Sequence, residues 1–483
     1  MAINGINNGT QNPNFVTDYN LKTLNLITST TGAGSAINLM PLMIELNLFE
    51  DIYSSTISGE LVVSDAIGLI PGFVLNGTEF IQVQLQKTKS DTQYISRNYR
   101  IYKISKRVFS TSNSSEVFVL NFCSEEFLLA EQYRLSKSYP GTMISDIIKN
   151  ILINYVQVGT GKTKKIFIEP TFGTYDFVLP NKKLFETINW LATYALPANA
   201  KNVGADMLFF ENGIGFCFNS LQTLYAQSPY QTYKYDPLNI PNTNPNTTGV
   251  NMQQQSTNAM DYEILNVFDT LNATTNGTFA NKSLTIDPLL RTSNTTNFNY
   301  SVYFSSAQSL NKYPVTNNYQ NRFGQPMYDP LTPTIAGLDI GALRVSTTNT
   351  NEKINSYVSQ KPDAVAREVM VEKFMPNRIA QLSLANYTRI KISVPGDPQL
   401  VAGSLVTFNA YAINPKTYAD GGSNATRSLD PTISGNYLIT AVRHIVKINA
   451  YITVLELARD SSSAPSPGYN SSTQKSLSNG NQL

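Results

Sequence analysis

Apolar and polar residues alternate with a period of two along two stretches of this chain, residues 37 to about 125 and residues 385 to about 460. In the first, Met43-Ile44-Glu45-Leu46-Asn47-Leu48-Phe49, Glu60-Leu61-Val62-Val63 and Phe80-Ile81-Gln82-Val83-Gln84-Leu85 each place their apolar side chains on one face. That pattern predicts half-buried strands. Tyr99 to Ile104 and Val117 to Phe122 read the same way, with turn residues at Asn76-Gly77 and Ser110 to Ser115 between them. In the second stretch, Arg389-Ile390-Lys391-Ile392-Ser393-Val394 resumes the alternation. Short strands so spaced predict an antiparallel barrel or sandwich.

Between the two stretches the period changes. Glu125 to Tyr133, Thr142 to Tyr155 and Leu184 to Tyr194 predict helices; the second carries Met143, Ile144, Ile147, Ile148, Ile151 and Leu152 on one face, and the third holds the sole tryptophan, Trp190. Met207 to Phe218 predicts a hairpin around Asn212-Gly213, a strong turn dipeptide. A polar run from Pro237 to Asn258 reads as a linker.

The chain also repeats itself. Leu46-Asn47-Leu48-Phe49-Glu50-Asp51-Ile52 recurs as Leu265-Asn266-Val267-Phe268-Asp269-Thr270-Leu271, 219 residues later (265 − 46). A glycine (Gly59, Gly277) and an aspartate (Asp65, Asp287) follow each copy. Further on, Tyr102, Ile104, Val117, Val119, Leu120 and Phe122 match Tyr437, Ile439, Ile452, Val454, Leu455 and Leu457 at one offset of 335 (437 − 102). Ordered matches of this kind point to a duplicated folding module, in which register must be kept because a one-residue slip turns the apolar face outward. The second copy is more spread out: over a hundred residues separate Asp287 from Ala402-Gly403-Ser404, the counterpart of the Asn76-Gly77 turn.

The resulting fold class is mainly β with α+β insertions, built on two duplicated tube-like antiparallel β-barrel domains. The expected division is a flexible N-terminal arm (1–36), a first barrel (37–125), an α+β domain (126–255) and the first part of a second barrel (256–300). An insertion ending in a helix from about Asp363 to Leu384 follows (301–384), then the rest of the second barrel (385–462) and a disordered tail (463–483).

Charged residues make up only 14% of the 483-residue chain, against about 25% in an average protein. Lys and Arg exceed Asp and Glu by 36 to 34, and no basic block occurs, which argues against a dedicated nucleic-acid reader. Asn, Ser, Thr and 27 Tyr supply the polarity, a surface suited to broad, partly polar contacts. The Asn- and Gly-rich first twenty residues do not read as a signal peptide, and no apolar run is long enough to span a bilayer. Cys123 and Cys217 lie in alternating apolar runs and read as buried thiols.

The sequence offers few candidates for chemistry. Gly159-Thr160-Gly161-Lys162-Thr163 resembles the end of a phosphate loop, but Val156 stands where the first glycine belongs, so it reads as a surface turn. His444, the only histidine, reads as a strand residue with a structural hydrogen bond. Glu125-Glu126 and Glu45, Glu50 and Asp51 are neighbouring acids with nothing to single out a glycosidase pair. Val394-Pro395-Gly396-Asp397-Pro398 reads as a tight turn. No catalytic, cofactor-binding or metal-ligating residues are assigned.

Val394-Pro395-Gly396-Asp397, Leu400-Val401-Ala402-Gly403, Ser434-Gly435-Asn436-Tyr437-Leu438-Ile439, Arg443-His444 and Leu455-Glu456-Leu457-Ala458-Arg459-Asp460 together resemble the central baseplate hub protein of contractile-tailed bacteriophages, a family related to the hub part of type VI secretion spike proteins. Ser58-Gly59-Glu60-Leu61 through Asp65-Ala66-Ile67-Gly68-Leu69-Ile70 is similar to the start of its first module, and the likeness covers most of residues 37 to 460. The resemblance implies a structural, non-enzymatic homotrimer whose six barrels meet the hexameric tail tube in pseudo-sixfold symmetry while its other face holds a trimeric spike. It also implies a place in the virion tail baseplate after synthesis in the bacterial cytoplasm, contact with baseplate wedge and tape-measure proteins, and passage of DNA through the lumen without sequence readout. No cofactor or membrane segment is implied. The Asn-rich arm and the large insertion depart from the family. Two other readings compete: a β-rich carbohydrate-binding virion or secreted protein, whose Tyr content would suit sugar stacking, and a tail-associated glycoside hydrolase.

Overall fold

The computed structural model describes residues 17–28, 36–66, 68–69, 75–87, 94–110, 115–158, 164–198, 204–235, 256–287, 291–300, 303–304, 307–315, 342–347, 371–411 and 429–465. Among the described residues thirteen strands form one large sheet. They are β1 (Asn20–Ile27), β2 (Ala36–Asn38), β3 (Met43–Asp51), β4 (Ser58–Asp65), β5 (Phe80–Gln86), β6 (Tyr94–Ser110), β7 (Ser115–Ser124), β8 (Gln231–Tyr235), β9 (Asp261–Asn266), β10 (Thr388–Pro395), β11 (Leu405–Ala410), β12 (Gly435–Lys447) and β13 (Ala450–Arg459). The main path runs β9-β10-β13-β12-β3-β4-β7-β6-β5-β1-β2; β11 pairs with β12 off this path and takes β8 parallel on its far side. The protein is mainly β, as the alternation predicts.

Within that path the module occurs twice. The order β3-β4-β7-β6-β5 is repeated as β9-β10-β13-β12-β11. The registers agree as well as the order. Leu61 faces Leu120 and Ile392 faces Leu455; Gly59 faces Phe122 and Ile390 faces Leu457, so β7 and β13 correspond at the expected offset of 335. Both modules have a one-residue bulge at the same rung, at Tyr102 and at Thr440. In both, the turn before the fifth strand has a glycine at positive φ, Gly77 at 91° and Gly403 at 88°, a conformation that a Cβ would strain. Matching hydrogen bonds follow: Ile101 N–H donates to the Glu79 carbonyl at 3.1 Å, Ile439 N–H to that of Ser404 at 2.9 Å.

The structure corrects the details of the match. Phe49 faces Ser58 and Asn266 faces Arg389, so Phe49 and Asn266 occupy equivalent rungs, not Phe49 and Phe268. The repeated heptapeptide is therefore out of register by two to three residues, because Leu265 bulges and β9 ends before Phe268. Gly277 and Asp287 are not counterparts of Gly59 and Asp65. Ala280–Asp287 pairs instead with Thr292–Asn299 and Ala342–Thr347 in a separate three-stranded sheet. On sheet membership the insertion begins directly after β9, earlier than residue 301. It packs around Phe279, Phe298, Tyr300 and the helix Val371–Leu384, through Ala380 and Leu384. The start expected for that helix, 363–370, lies outside the described residues.

The N-terminal arm is also corrected. Its weakly apolar run is β1, which pairs along β5 from Asn20↔Gln86 to Ile27↔Phe80 and buries Leu21, Leu24 and Leu26. Burying three leucines is worth several kcal/mol, enough to hold the segment on the sheet. The intervening α+β part has the expected helices, at Glu125–Gln132, Ile144–Asn150 with a π-helical continuation to Tyr155, and Leu184–Ala192. Its hairpin pairs Met207–Glu211 with Gly215–Ser220, and the Asn212 side chain closes the turn by accepting from Ile214 and Gly215 N–H. Residues 1–16, residues 236–255 (most of the expected linker, 237–258) and the tail beyond 465 lie outside the described residues. Within the start of the tail, Ser463 donates its hydroxyl to the Ser434 carbonyl, and Ser462 bridges to Tyr313.

Candidate functional site

The most informative site is the seam where the modules join. β12 of the second module pairs antiparallel with β3 of the first over the unbroken register Ala441↔Asp51 to Lys447↔Glu45. Alternation along both strands puts Leu46, Leu48, Val442 and Val446 inward. Val446 and Tyr451 enter the first module's core, and Ile52 enters the second's. The two cores thus interlock, which makes the seam part of the folded interior. On the opposite face Arg443 donates to Asn47 Oδ1 at 3.0 Å, lies over the Phe49 ring at 5.5 Å and approaches Glu45 at 3.5 Å. Arg443 and Glu45 are partly exposed, so the ion pair adds little and the register is set by the apolar face.

The N-terminal segment closes over the seam. The Tyr19 hydroxyl donates to the Lys447 carbonyl at 2.6 Å, its ring meets Tyr451 edge-on at 6.4 Å, and Tyr451 N–H donates to the Thr17 carbonyl. Deeper in, the Glu50 carboxylate accepts from Ala402 N–H at 3.0 Å, while Asn212 Nδ2 donates to the Ala402 carbonyl at 3.0 Å and Arg97 donates to that of Gly213 at 2.6 Å. Both modules and the α+β hairpin meet there. Burial pushes the Glu50 pKa up to about 8, with nearby Glu211 acting in the same direction and backbone donors opposing it.

The candidates noted in the sequence take structural roles. Glu126 is buried and, with Glu211, holds Lys164 in an ion triad at 2.5 and 2.6 Å. Burial disfavours the Lys164 cation, but the two carboxylates outweigh it and its pKa lies above the ordinary value. Glu45 binds Arg443, Lys447 and Asn47, and Asp51 accepts from Tyr53 N–H at 2.8 Å. Glu125, half-buried, sits in the first turn of its helix, where an acid suits the dipole. His444 is buried with Nδ1 2.8 Å from the Tyr451 hydroxyl, and burial lowers its pKa to about 4. Cys123 and Cys217 are free and buried, as expected. The turn at Val394–Pro398 is fixed by Gly396 N–H donating to the Tyr451 carbonyl. Gly159–Thr163 lies outside the described residues. Among the described residues no group of three His, Cys, Asp or Glu is placed to hold a metal ion, and no helix is long and apolar enough to cross a membrane.

One feature was not anticipated. The strands that make the seam, β12 and β3, have counterparts in β6 and β9, and these stand at the two ends of the eight-strand run β9-β10-β13-β12-β3-β4-β7-β6. Among the described residues, β6 beyond Ile101 has no strand partner on the side away from β7, and β9 pairs with β10 alone. Tyr102, Val108 and Phe109 are exposed on β6; Ile264 and Leu265 are exposed on β9, and Phe268 just beyond it. The Val108-Phe109 pair next to Lys106-Arg107 was the only sequence sign of it.

No family model and no curated protein matches the chain. Among solved structures it is similar to a tail protein from Neisseria meningitidis MC58, at 11% identity and a TM-score of 0.48 over 92% of this chain and 97% of that one. It is also similar to the 43 kDa tail protein of prophage MuSo2 from Shewanella oneidensis, at 8% identity and a TM-score of 0.49 over 91% and 98%. A third similar chain comes from the Francisella PdpA-VgrG complex, at 11% identity and a TM-score of 0.41, covering 93% of this chain and 60% of that one.

Proposed function

We propose that this chain is a structural virion protein, the hub of a tail baseplate. Three copies form a ring whose six modules meet a hexameric tail tube with pseudo-sixfold symmetry, while the threefold face receives a trimeric spike. One observation carries the reading: two like modules joined by strands whose counterparts are left open at opposite ends of the same eight-strand run. A head-to-tail contact of this kind either closes into a ring or runs into a filament. An unpaired strand edge bearing exposed apolar residues is otherwise a liability for a protein that stays single. The structural roles of Glu126, Glu45, Asp51 and His444 support a hub without chemistry of its own, and an assembly only threefold outside the ring would allow the modules to differ in their insertion. Wedge and tape-measure proteins fit its outer and inner faces, and DNA crosses the lumen without being read.

Light scattering at high protein concentration, with and without added spike protein, tests this reading. A three-chain particle supports it. A strict monomer under both conditions refutes it.

A further inference from the structure

The seam within one chain contains the register of the contact between chains. This inference rests on the ring reading and adds residue-level pairing to it. Mapping each module on the other through the β4·β7 and β10·β13 ladders makes Val442 equivalent to Ile104, Arg443 to Ser105, Ile445 to Val108 and Val446 to Phe109. The same mapping makes Leu46 equivalent to Tyr262, Asn47 to Glu263, Leu48 to Ile264 and Phe49 to Asn266. The seam pairs Arg443↔Phe49, Ile445↔Asn47 and Val446↔Leu46. Transferred to the open edges, these become Ser105↔Asn266, Val108↔Glu263 and Phe109↔Tyr262.

Two observations make the transfer more than formal. First, each open edge carries one residue more than its seam counterpart at the same rung: Lys106 and Arg107 together take the place of His444, and Leu265 is added beside Ile264. The two extra residues offset each other, with Lys106 at φ 53° opposite the Leu265 bulge, so the residue count from Ser105↔Asn266 to Val108↔Glu263 is equal on both strands. Second, burial is reversed at two equivalent pairs. Val446 is 0% exposed in the seam and Phe109 is 71% exposed at the open edge; Leu48 is 2% exposed and Ile264 is 44% exposed. Positions that the seam covers are bare where no seam is made, which is where apolar burial would drive association.

We infer that β6 of one copy pairs antiparallel with β9 of a second copy in the register Ser105↔Asn266, Val108↔Glu263, Phe109↔Tyr262. The occupant of each edge is thus a second copy of this chain. Directly opposed residues in such a ladder have Cα atoms about 4.5–5.5 Å apart, within the span of a disulfide between introduced cysteines.

The test is disulfide formation in the full chain carrying Ser105→Cys with Asn266→Cys, and independently Val108→Cys with Glu263→Cys, under mild oxidation. Val108→Cys with Leu265→Cys is the control displaced by two residues, and the single-cysteine variants report self-pairing. The expected result is that both matched pairs shift from one-chain to three-chain mass on a non-reducing gel, with at least tenfold more covalent trimer than the displaced control. A trimer by light scattering in which only the displaced pair cross-links, or in which single cysteines join β6 to β6, overturns this register and leaves the hub reading standing. A chain that stays monomeric removes both.

Discussion

Ala402 N–H donates to Glu50 Oε2 at 3.0 Å, joining residues 352 positions apart in the sequence. The bond ties the turn that opens β11 in the second module to β3 in the first. The Asn212-Gly213 hairpin of the α+β part is held at the same point. A single carboxyl therefore links three parts of the chain.

That carboxyl makes the joint sensitive to pH. The Glu50 pKa is raised from 4.5 to about 8 in the folded chain, so the folded state holds its proton more tightly than the unfolded state does. Its contribution is fully present below pH ~4.5 and is lost as pH rises through about 8. Glu50→Gln, which has no proton to lose, is expected to flatten the decline in stability between pH 5 and 8, by about a few kcal/mol at the upper end. Urea unfolding across that range checks it; an unchanged slope would contradict it. His444 acts in the opposite sense: its pKa is lowered from 6.5 to about 4, so its contribution is present above pH ~6.5 and is lost as pH falls through about 4.

Gly59 and Phe122 in the first module occupy the rungs that Ile390 and Leu457 occupy in the second. The modules have exchanged volume across one pair. A Cβ at Gly59 would lie 2.3 Å from the Phe122 ring and 2.6 Å from the Asn47 carbonyl oxygen. Gly59→Ala is expected to cost about 1–3 kcal/mol by overpacking. Adding Phe122→Leu should recover part of that loss but not all, since the Asn47 carbonyl stays in place. A double-mutant cycle by chemical denaturation would show the coupling, and strict additivity would refute it.

Lys164 bridges Glu126 and Glu211 in the triad, and Glu211 also accepts from Ile57 N–H at 3.1 Å. Lys164→Met leaves two buried acids facing each other. A loss of about 3–5 kcal/mol is expected, since removing one partner of a buried ion pair strands the rest. A melting curve unchanged from that of the parent would contradict the assignment.

The open edges separate stability from assembly. Phe109→Glu or Ile264→Glu should alter the stability of the single chain by less than about 0.5 kcal/mol, because both side chains are already exposed. Each should abolish the three-chain species in sedimentation velocity. Retention of that species by both variants would place the contact elsewhere.

Much of this architecture is legible in the residue pattern, and the failures have definite causes. Alternation located β3, β4, β5, β7 and β10, and the offset of 335 between β7 and β13 is the structural one. The same offset fails for β6 and β12, where Ile101 matches Ile439 at 338. The first module has one extra residue at its second bulge and two more in the β6–β7 connection, and bulges leave no mark on an apolar pattern. The heptapeptide at Leu46 and Leu265 marked a true duplication while being out of register itself. Asp287 misled because Ala280–Asp287 is a genuine strand, in another sheet. The open edges of β6 and β9 left no mark beyond Val108-Phe109, because which strands end the eight-strand run depends on strand order and not on composition.

The central claim is that duplication within one chain lets a threefold assembly imitate a sixfold one. End-on electron microscopy averages of the purified oligomer test it most directly. The account predicts a ring of about 160 kDa, three times the 53.4 kDa chain, with six similar lobes and true threefold symmetry from the unequal insertions. A ring whose averages carry no sixfold component, or one closed by other than three chains, would contradict it.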